Sequence, residues 1–211
     1  MPTPACPAFD AAWAALPLVA ILRGVRPDEA ADIGQALYAE GFRLIEVPVN
    51  SPEALASVEA LHAALPPDAV LGAGTVLDAA LLAPLRAAGA RLVVMPHTAP
   101  GLIRAARDAG LVCIPGAATP SEVFAALEAG ADTVKLFPAE LVSPAVVKAL
   151  RAVLPASVRL LPVGGITPAS MAAYRAAGAD GFGLGGALYR PGQNATEIAR
   201  QAREFVSAWR G

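Results

Sequence analysis

The residues with the clearest capacity for chemistry are a lysine and a glutamate inside apolar runs. Lys135 stands in Thr133-Val134-Lys135-Leu136-Phe137, and Glu46 in Leu44-Ile45-Glu46-Val47-Pro48. Burying an unpaired ammonium is costly, and the usual escape is a lowered pKa. A lysine that is partly neutral at pH 7 attacks ketones and forms a Schiff base. A carboxylate near it can move protons at the carbonyl, carbinolamine and enamine stages. The plainer reading is structural: Lys135 reaches solvent or pairs with an acid, and Glu46 pairs with Arg23 or Lys135. One contact can serve both readings. The other lysine, Lys148, follows Ser143-Pro144 within a helical segment and reads as a solvated charge.

Two glycine pairs suggest an anion site. Gly164–Gly165 runs into Ile166-Thr167-Pro168, a turn entering a helix, and Gly185–Gly186 follows the last apolar run. Bare glycine lets backbone amides reach phosphate oxygens, and a helix N-terminus adds favourable potential. Each pair alone is also an ordinary strand-to-helix turn. Arg23, in Ile21-Leu22-Arg23-Gly24, can clamp a carboxylate or phosphate with two N–H groups. Thr75 offers a hydroxyl beside Gly72 and Gly74, and a capping role suits it equally. Pro96–His97 ends another apolar run. His97 has the ordinary look of a loop residue, and His62 that of a helix surface.

These residues need strands to hold them. Eight short apolar runs read as buried strands: Leu18–Leu22, Leu44–Val49, Ala69–Gly72, Leu92–Met95, Val112–Ile114, Thr133–Phe137, Arg159–Val163 and Gly181–Leu184. Strands covered on both faces lose polar alternation and become nearly continuous apolar segments. The chain between them is long enough for crossover helices, which parallel neighbours require. Arg26-Pro27, Ser51-Pro52, Thr119-Pro120, Ser143-Pro144 and Thr167-Pro168 mark helix starts, with proline at the first helical position. Thr119 with Glu122 has capping-box spacing. Gly41, Gly89, Gly110, Gly130 and Gly178 mark helix ends.

The closing glycines test the count. Gly89 to Gly110 spans 21 residues and Gly110 to Gly130 spans 20; the flanking gaps of 48 each hold two units. Eight units of about 26 residues predict a (β/α)8 TIM barrel occupying 1–211 as one domain. Such barrels run roughly 200 to 400 residues. A doubly wound open sheet would stop at five or six strands and show GxGxxG after an early one. Ala8–Leu16 predicts an extra N-terminal helix capping the barrel's N-terminal mouth. In such a barrel Arg23, Glu46, Thr75, Pro96, Lys135 and both glycine pairs gather at the C-terminal strand ends, where active sites form. Phosphate commonly binds after strands seven and eight, the places of the two glycine pairs.

Composition excludes several alternatives. The net charge is -2, with no basic surplus to drive a nucleic-acid interface. Apolar residues make up 55% and charged residues 16%, enough to bury a large core. Mean hydropathy is +0.52, yet no apolar run approaches membrane-spanning length. Met1–Phe9 lacks a basic leader, so no secretory signal is expected. Cys6 and Cys113 provide no disulfide framework, which suits a cytoplasmic protein. No HExxH, CxxC or clustered His/carboxylate pattern suggests a metal. From the residues alone, the chemistry is metal-free lysine catalysis on a phosphorylated keto compound.

Six segments, in order, resemble the class I 2-keto-3-deoxy-6-phosphogluconate/6-phosphogalactonate aldolases. They are Ala20-Ile21-Leu22-Arg23-Gly24, Ile45-Glu46-Val47-Pro48-Val49-Asn50-Ser51-Pro52, Gly72-Ala73-Gly74-Thr75-Val76, Val134-Lys135-Leu136-Phe137-Pro138, Val163-Gly164-Gly165-Ile166-Thr167 and Gly183-Leu184-Gly185-Gly186. The resemblance covers about residues 17–210. The stretch through Asn50 is similar to the galactonate branch; the gluconate branch typically has Arg there. The resemblance implies a homotrimer without a cofactor. Its activity would be reversible retro-aldol cleavage of 2-dehydro-3-deoxy-6-phosphogalactonate, or its gluconate epimer, to pyruvate and glyceraldehyde 3-phosphate. Lys135 would form the Schiff base and Glu46 would be the general acid/base. Arg23 and Thr75 would hold the carboxylate end, Gly164, Gly165, Gly185 and Gly186 the phosphate, and Pro96 would line the substrate site. Family members often have Ser where Gly186 stands. The competing reading is a phosphate-binding barrel transferase similar to thiamine-phosphate synthase, which would need Mg²⁺ and no Schiff base.

Overall fold

The computed structural model describes residues 6–211; Met1–Ala5, part of the stretch examined for a signal, lie outside the described residues. Helix α1 (Pro7–Ala15) leads into β1 (Leu18–Ile21), α2 (Pro27–Ala39), β2 (Leu44–Pro48) and α3 (Ala54–Ala64). Next come β3 (Val70–Gly74), a 3-10 turn at Ala79–Leu81, α4 (Leu82–Ala87), β4 (Leu92–Val94), α5 (Pro100–Asp108) and β5 (Val112–Ile114). The chain continues through β6 (Gly116–Ala117), α6 (Pro120–Glu128), β7 (Val134–Leu136), α7 (Pro144–Arg151) and β8 (Leu160–Pro162). Helix α8 (Pro168–Ala176), β9 (Phe182–Leu184) and α9 (Ala195–Arg210) complete it.

The strands are all parallel and form two sheets, ordered β5-β4-β3-β2-β1-β9 and β6-β7-β8. Eight strands were expected, and nine segments occur among the described residues. The difference lies at Pro115, which has no N–H to continue a ladder. It separates the expected run Val112–Ile114, which is β5 and pairs with β4, from the unexpected two-residue β6, which pairs with β7. The carbonyl of Pro115 still accepts from Lys135 N at 2.9 Å. Across the other seam, Val163 bridges to Gly183.

Alternation along the strands sorts side chains into two apolar layers. Ala20, Ile45, Val47 and Leu136 point outward and pack with Ile33, Leu37 and Val58 of the helices. Val19, Ile21, Leu44, Val94, Ile114 and Leu161 point the other way and pack with Phe9 and Trp13 of α1. Phe9 is 1% exposed, so α1 supplies core rather than decoration. Arg159, just before β8, pins the helix: its Nη2 donates to Asp10 Oδ1 at 2.7 Å, and its guanidinium lies over both rings.

Helix starts follow the local chemistry with one exception. Thr119 and Glu122 form the expected capping box, Thr119 N donating to Glu122 Oε2 at 2.9 Å. Ser51-Pro52 does not open α3, which begins at Ala54 after Glu53. The Ser51 hydroxyl instead accepts from Gly24 N at 2.9 Å, tying the loop after β2 to the loop after β1. Among the described residues, no helix is long and apolar enough to cross a membrane.

Candidate active site

Register brings the chemistry together. Glu46 pairs in register with Ile21 on one side and Gly72 on the other; Lys135 pairs with Gly116. Because β2 alternates, Leu44 and Glu46 share the inner face while Ile45 and Val47 face the helices. Glu46 is 2% exposed and Lys135 6%. No direct ion pair joins Glu46 to Lys135 or Arg23, so the expected structural ion pair is absent. The Oε2 atom of Glu46 has no hydrogen-bond partner. That buried, unsatisfied oxygen is costly to folding.

Electrostatics push both groups toward neutrality. Burial raises the Glu46 carboxyl from 4.5 to about 7, outweighing the Lys135 and Arg23 charges that lower it. Burial lowers the Lys135 ammonium, with Glu46 raising it and Arg23 lowering it further. The Lys135 Nζ lies 4.6 Å from the centre of the Phe137 ring, which shields one side of the amine. A buried acid and a buried amine with opposite shifts are the pattern of an acid/base pair.

Above them lies a cavity of about 360 Å³, lined by Arg23, Lys135, Phe137, both glycine pairs and Arg190 among others. Glu46 is absent from that lining; it is buried behind it. Arg23 is held at the mouth, its Nη1 donating to Asn50 Oδ1 at 2.8 Å and its Nη2 to Thr75 Oγ1 at 3.4 Å. Thr75 has φ of 58°, uncommon for a β-branched residue. Gly164 has φ of 113°, and the Glu140 carboxylate packs against its α-carbon. The loop before it is anchored by Ala139 N donating to Val163 O at 2.8 Å and Tyr174 Oη to Ala139 O at 2.7 Å. At Gly185 and Gly186 the space beside the α-carbon is open.

Lys135, Arg23, Gly164, Gly165, Gly185 and Gly186 thus line one cavity. Thr75 reaches it through Arg23. Pro96 does not join them: it is half-buried beyond β4, with its carbonyl against Gly116. The glycine at 116 lets the backbones approach and keeps Pro96 in the wall between strands. His62 and His97 are exposed, as is Lys148. Three residues escaped the sequence reading as site candidates: Asn50, Phe137 and Arg190. Phe137 was legible as an inward neighbour two positions from Lys135. Asn50 and Arg190 lie on loops, where no periodicity assigns direction. Among the described residues, no three His, Cys, Asp or Glu side chains come together as a metal site.

An all-parallel α/β fold with a buried amine and two glycine turns lining one cavity, and a buried acid behind it, is suited to lysine chemistry on a carbonyl. The model of the family described as KDPG and KHG aldolase matches residues 10–200, and the chain belongs to that family. The chain is 45% identical to the 2-dehydro-3-deoxy-6-phosphogalactonate aldolase of Escherichia coli (strain K12) over 196 residues, 92% of this chain and 95% of the relative. It is 42% identical to a probable enzyme of the same name from Rhizobium meliloti (strain 1021) over 193 residues, 92% and 91% of the two chains. A solved structure described as native KDPGal superposes with a TM-score of 0.90 at 44% identity, covering 92% of this chain and 95% of that one.

Proposed function

We propose that this chain reversibly cleaves 2-dehydro-3-deoxy-6-phosphogalactonate to pyruvate and glyceraldehyde 3-phosphate through a Schiff base at Lys135. The observation that carries the reading is the inward pair Glu46 and Lys135, both buried and both shifted toward neutrality. Family membership and the two galactonate-branch relatives support the reaction and the substrate.

The neutral Lys135 amine adds to the C2 ketone, giving a carbinolamine that loses water. The resulting protonated imine is an electron sink. Glu46, directly or through a water, takes the proton of the C4 hydroxyl. The C3–C4 bond then breaks, its electron pair flows into the iminium to form an enamine, and the aldehyde leaves. Glu46 returns the proton to C3, and water hydrolyses the imine to release pyruvate and free Lys135. Arg23, oriented by Asn50 and Thr75, receives the substrate carboxylate, and the amides of Gly164, Gly165, Gly185 and Gly186 receive the phosphate. The iminium performs the task of a Lewis acid, so no cofactor is required.

The same reading closes the two sheets into one (β/α)8 barrel domain over 1–211. Pro115 and the Val163–Gly183 bridge would be its seams, and α1 would plug the N-terminal mouth. It also makes the protein a cytoplasmic homotrimer.

Pyruvate with borohydride should label Lys135 irreversibly, read by peptide mass spectrometry. Absence of the adduct, or turnover surviving Lys135→Ala, would overturn the Schiff base. EDTA should leave the rate unchanged; inhibition reversed by Mg²⁺ would favour the transferase reading. Pyruvate release from the galactonate and gluconate epimers, measured side by side, tests the substrate.

A further inference from the structure

We propose that Arg190 is a phosphate-recognition residue of this site. It would supply from a side chain the donor that Gly186 lacks. The proposal deepens the functional reading above and rests on it.

Three charged side chains line the cavity: Arg23, Lys135 and Arg190. All three are cationic, and the proposed substrate has anionic groups at its two ends. Arg23 is committed to the Asn50–Thr75 side of the mouth. Lys135 stands on β7, where the C2 carbonyl of the proposed substrate would sit. Arg190 is the cation beside the glycine turns. Its Nε donates to the carbonyl of Gly186 at 2.8 Å, so the guanidinium is tethered to the turn that would receive phosphate.

The rest of the guanidinium is uncommitted. Among the described residues, Arg190 makes no ion pair, and no other side-chain hydrogen bond of it is found. Many of the other arginines are satisfied: Arg43 by Asp68, Arg151 by Asp180, Arg203 by Glu40. The Glu140 carboxylate packs against the Gly164–Gly165 turn and neither lines the cavity nor pairs with Arg190, so the arginine at the rim has its planar fork free for an oxyanion.

The segment presenting it is well anchored. Leu188 N and Tyr189 N both donate to Gly185 O, at 2.7 and 3.0 Å. Tyr189 is 2% exposed and its hydroxyl donates to Glu29 Oε1 at 3.0 Å. Arg190 N donates to Gln193 Oε1 at 2.8 Å. Backbone and Nε are thus fixed before any ligand arrives, which lowers the ordering cost of binding. The open space beside Gly185 and Gly186 leaves room for the phosphate between the turn and the arginine.

The test runs the reaction toward carbon–carbon bond formation, with pyruvate and either glyceraldehyde 3-phosphate or glyceraldehyde. In Arg190→Gln the ratio of the two kcat/KM values should fall about 10- to 100-fold, the scale of a lost charge-assisted pair, through a raised KM for the phosphorylated aldehyde. Inorganic phosphate should inhibit the variant correspondingly less. Arg190→Lys, which keeps the charge but not the fork, should recover part of the ratio. A ratio unchanged in Arg190→Gln, whether both values fall equally or neither falls, overturns the proposal. Borohydride labelling with pyruvate, scored in the parent and in Arg190→Gln, separates the two readings. A parent that is not labelled defeats the Schiff-base function; normal labelling with an unchanged ratio defeats only the role of Arg190.

Discussion

The carboxylate of Glu46 lies against the α-carbon of Gly74, in the space that any side chain at position 74 would occupy. The glycine on β3 is therefore a spatial requirement of the acid on β2. A methyl there meets the movable end of a side chain, so Gly74→Ala should fold and displace the carboxylate. We expect kcat to fall about 100-fold, the scale of misplacing an acid/base group, while pyruvate still labels Lys135 under borohydride. Unchanged kcat would show that the position of the carboxylate does not matter.

Glu46 also sets a pH dependence. Its folded pKa of about 7 lies above its ordinary 4.5, so the folded state holds a proton that the unfolded state has lost between those values. Stability therefore declines as pH rises from about 4.5 to about 7. Glu46→Gln should be more stable than the parent at pH 8, by about 3 kcal/mol, and no more stable at pH 4. Urea unfolding at the two pH values measures this. The rate should rise with pH through about 7 as the base form appears. Glu46→Gln should lose that limb and about 100- to 10,000-fold in kcat.

Lys135 poses the complementary conflict between function and stability. Burial lowers its pKa because the charged form is poorly solvated there. Lys135→Met keeps the length of the side chain without the ammonium. It should abolish turnover and labelling yet melt no lower than the parent at pH 7, because the poorly solvated ammonium is gone. A melting curve lower than the parent's would mean that the ammonium contributes to folding.

Asn50 acts through Arg23, which it holds at 2.8 Å. Asn50→Ala should raise KM for pyruvate about 10-fold with a smaller effect on kcat, because the guanidinium keeps its charge and loses its orientation. Asn50→Asp retains the acceptor and should restore KM toward the parent value. Equal losses in kcat and KM for both variants would point to a structural role instead.

Gly186 offers a gain of affinity. Its α-carbon faces open space and its φ is not left-handed, so a serine fits without strain. The added hydroxyl can donate to a phosphate oxygen. Gly186→Ser should lower KM for the phosphorylated substrate about 3- to 10-fold, the worth of one hydrogen bond to a charged group, with kcat little changed. A higher KM would indicate that the serine disturbs the turn.

The strands and their inward faces were legible because alternation is a local property. Once Leu44–Pro48 is a strand buried on both faces, Glu46 must share a side with Leu44. The same rule placed Lys135 between Thr133 and Phe137. Proline also sets its own local limit: Pro115 cannot donate, and the expected strand Val112–Ile114 is followed by an unexpected short one, Gly116–Ala117, in a different sheet. The chain's own residue order thus determined the βα repeat and the identity of the buried amine and acid.

Only the tertiary structure decided how loop residues are used. Ser51 reads as a helix cap and instead secures Gly24, because the loops after β1 and β2 lie side by side. Pro96 ends a strand like the others, yet it packs on Gly116 and stays out of the cavity. Arg190 is one cation among sixteen in the sequence and becomes a cavity residue through a turn anchored on Gly185 and Glu29. Loops have no period to fix the direction of a side chain. Whether a charged group there is paired, solvated or aimed at a ligand depends on neighbours distant in sequence. The burial that pushes Glu46 and Lys135 toward neutrality has the same origin, since desolvation is imposed by the surrounding strands and not by either residue's own segment.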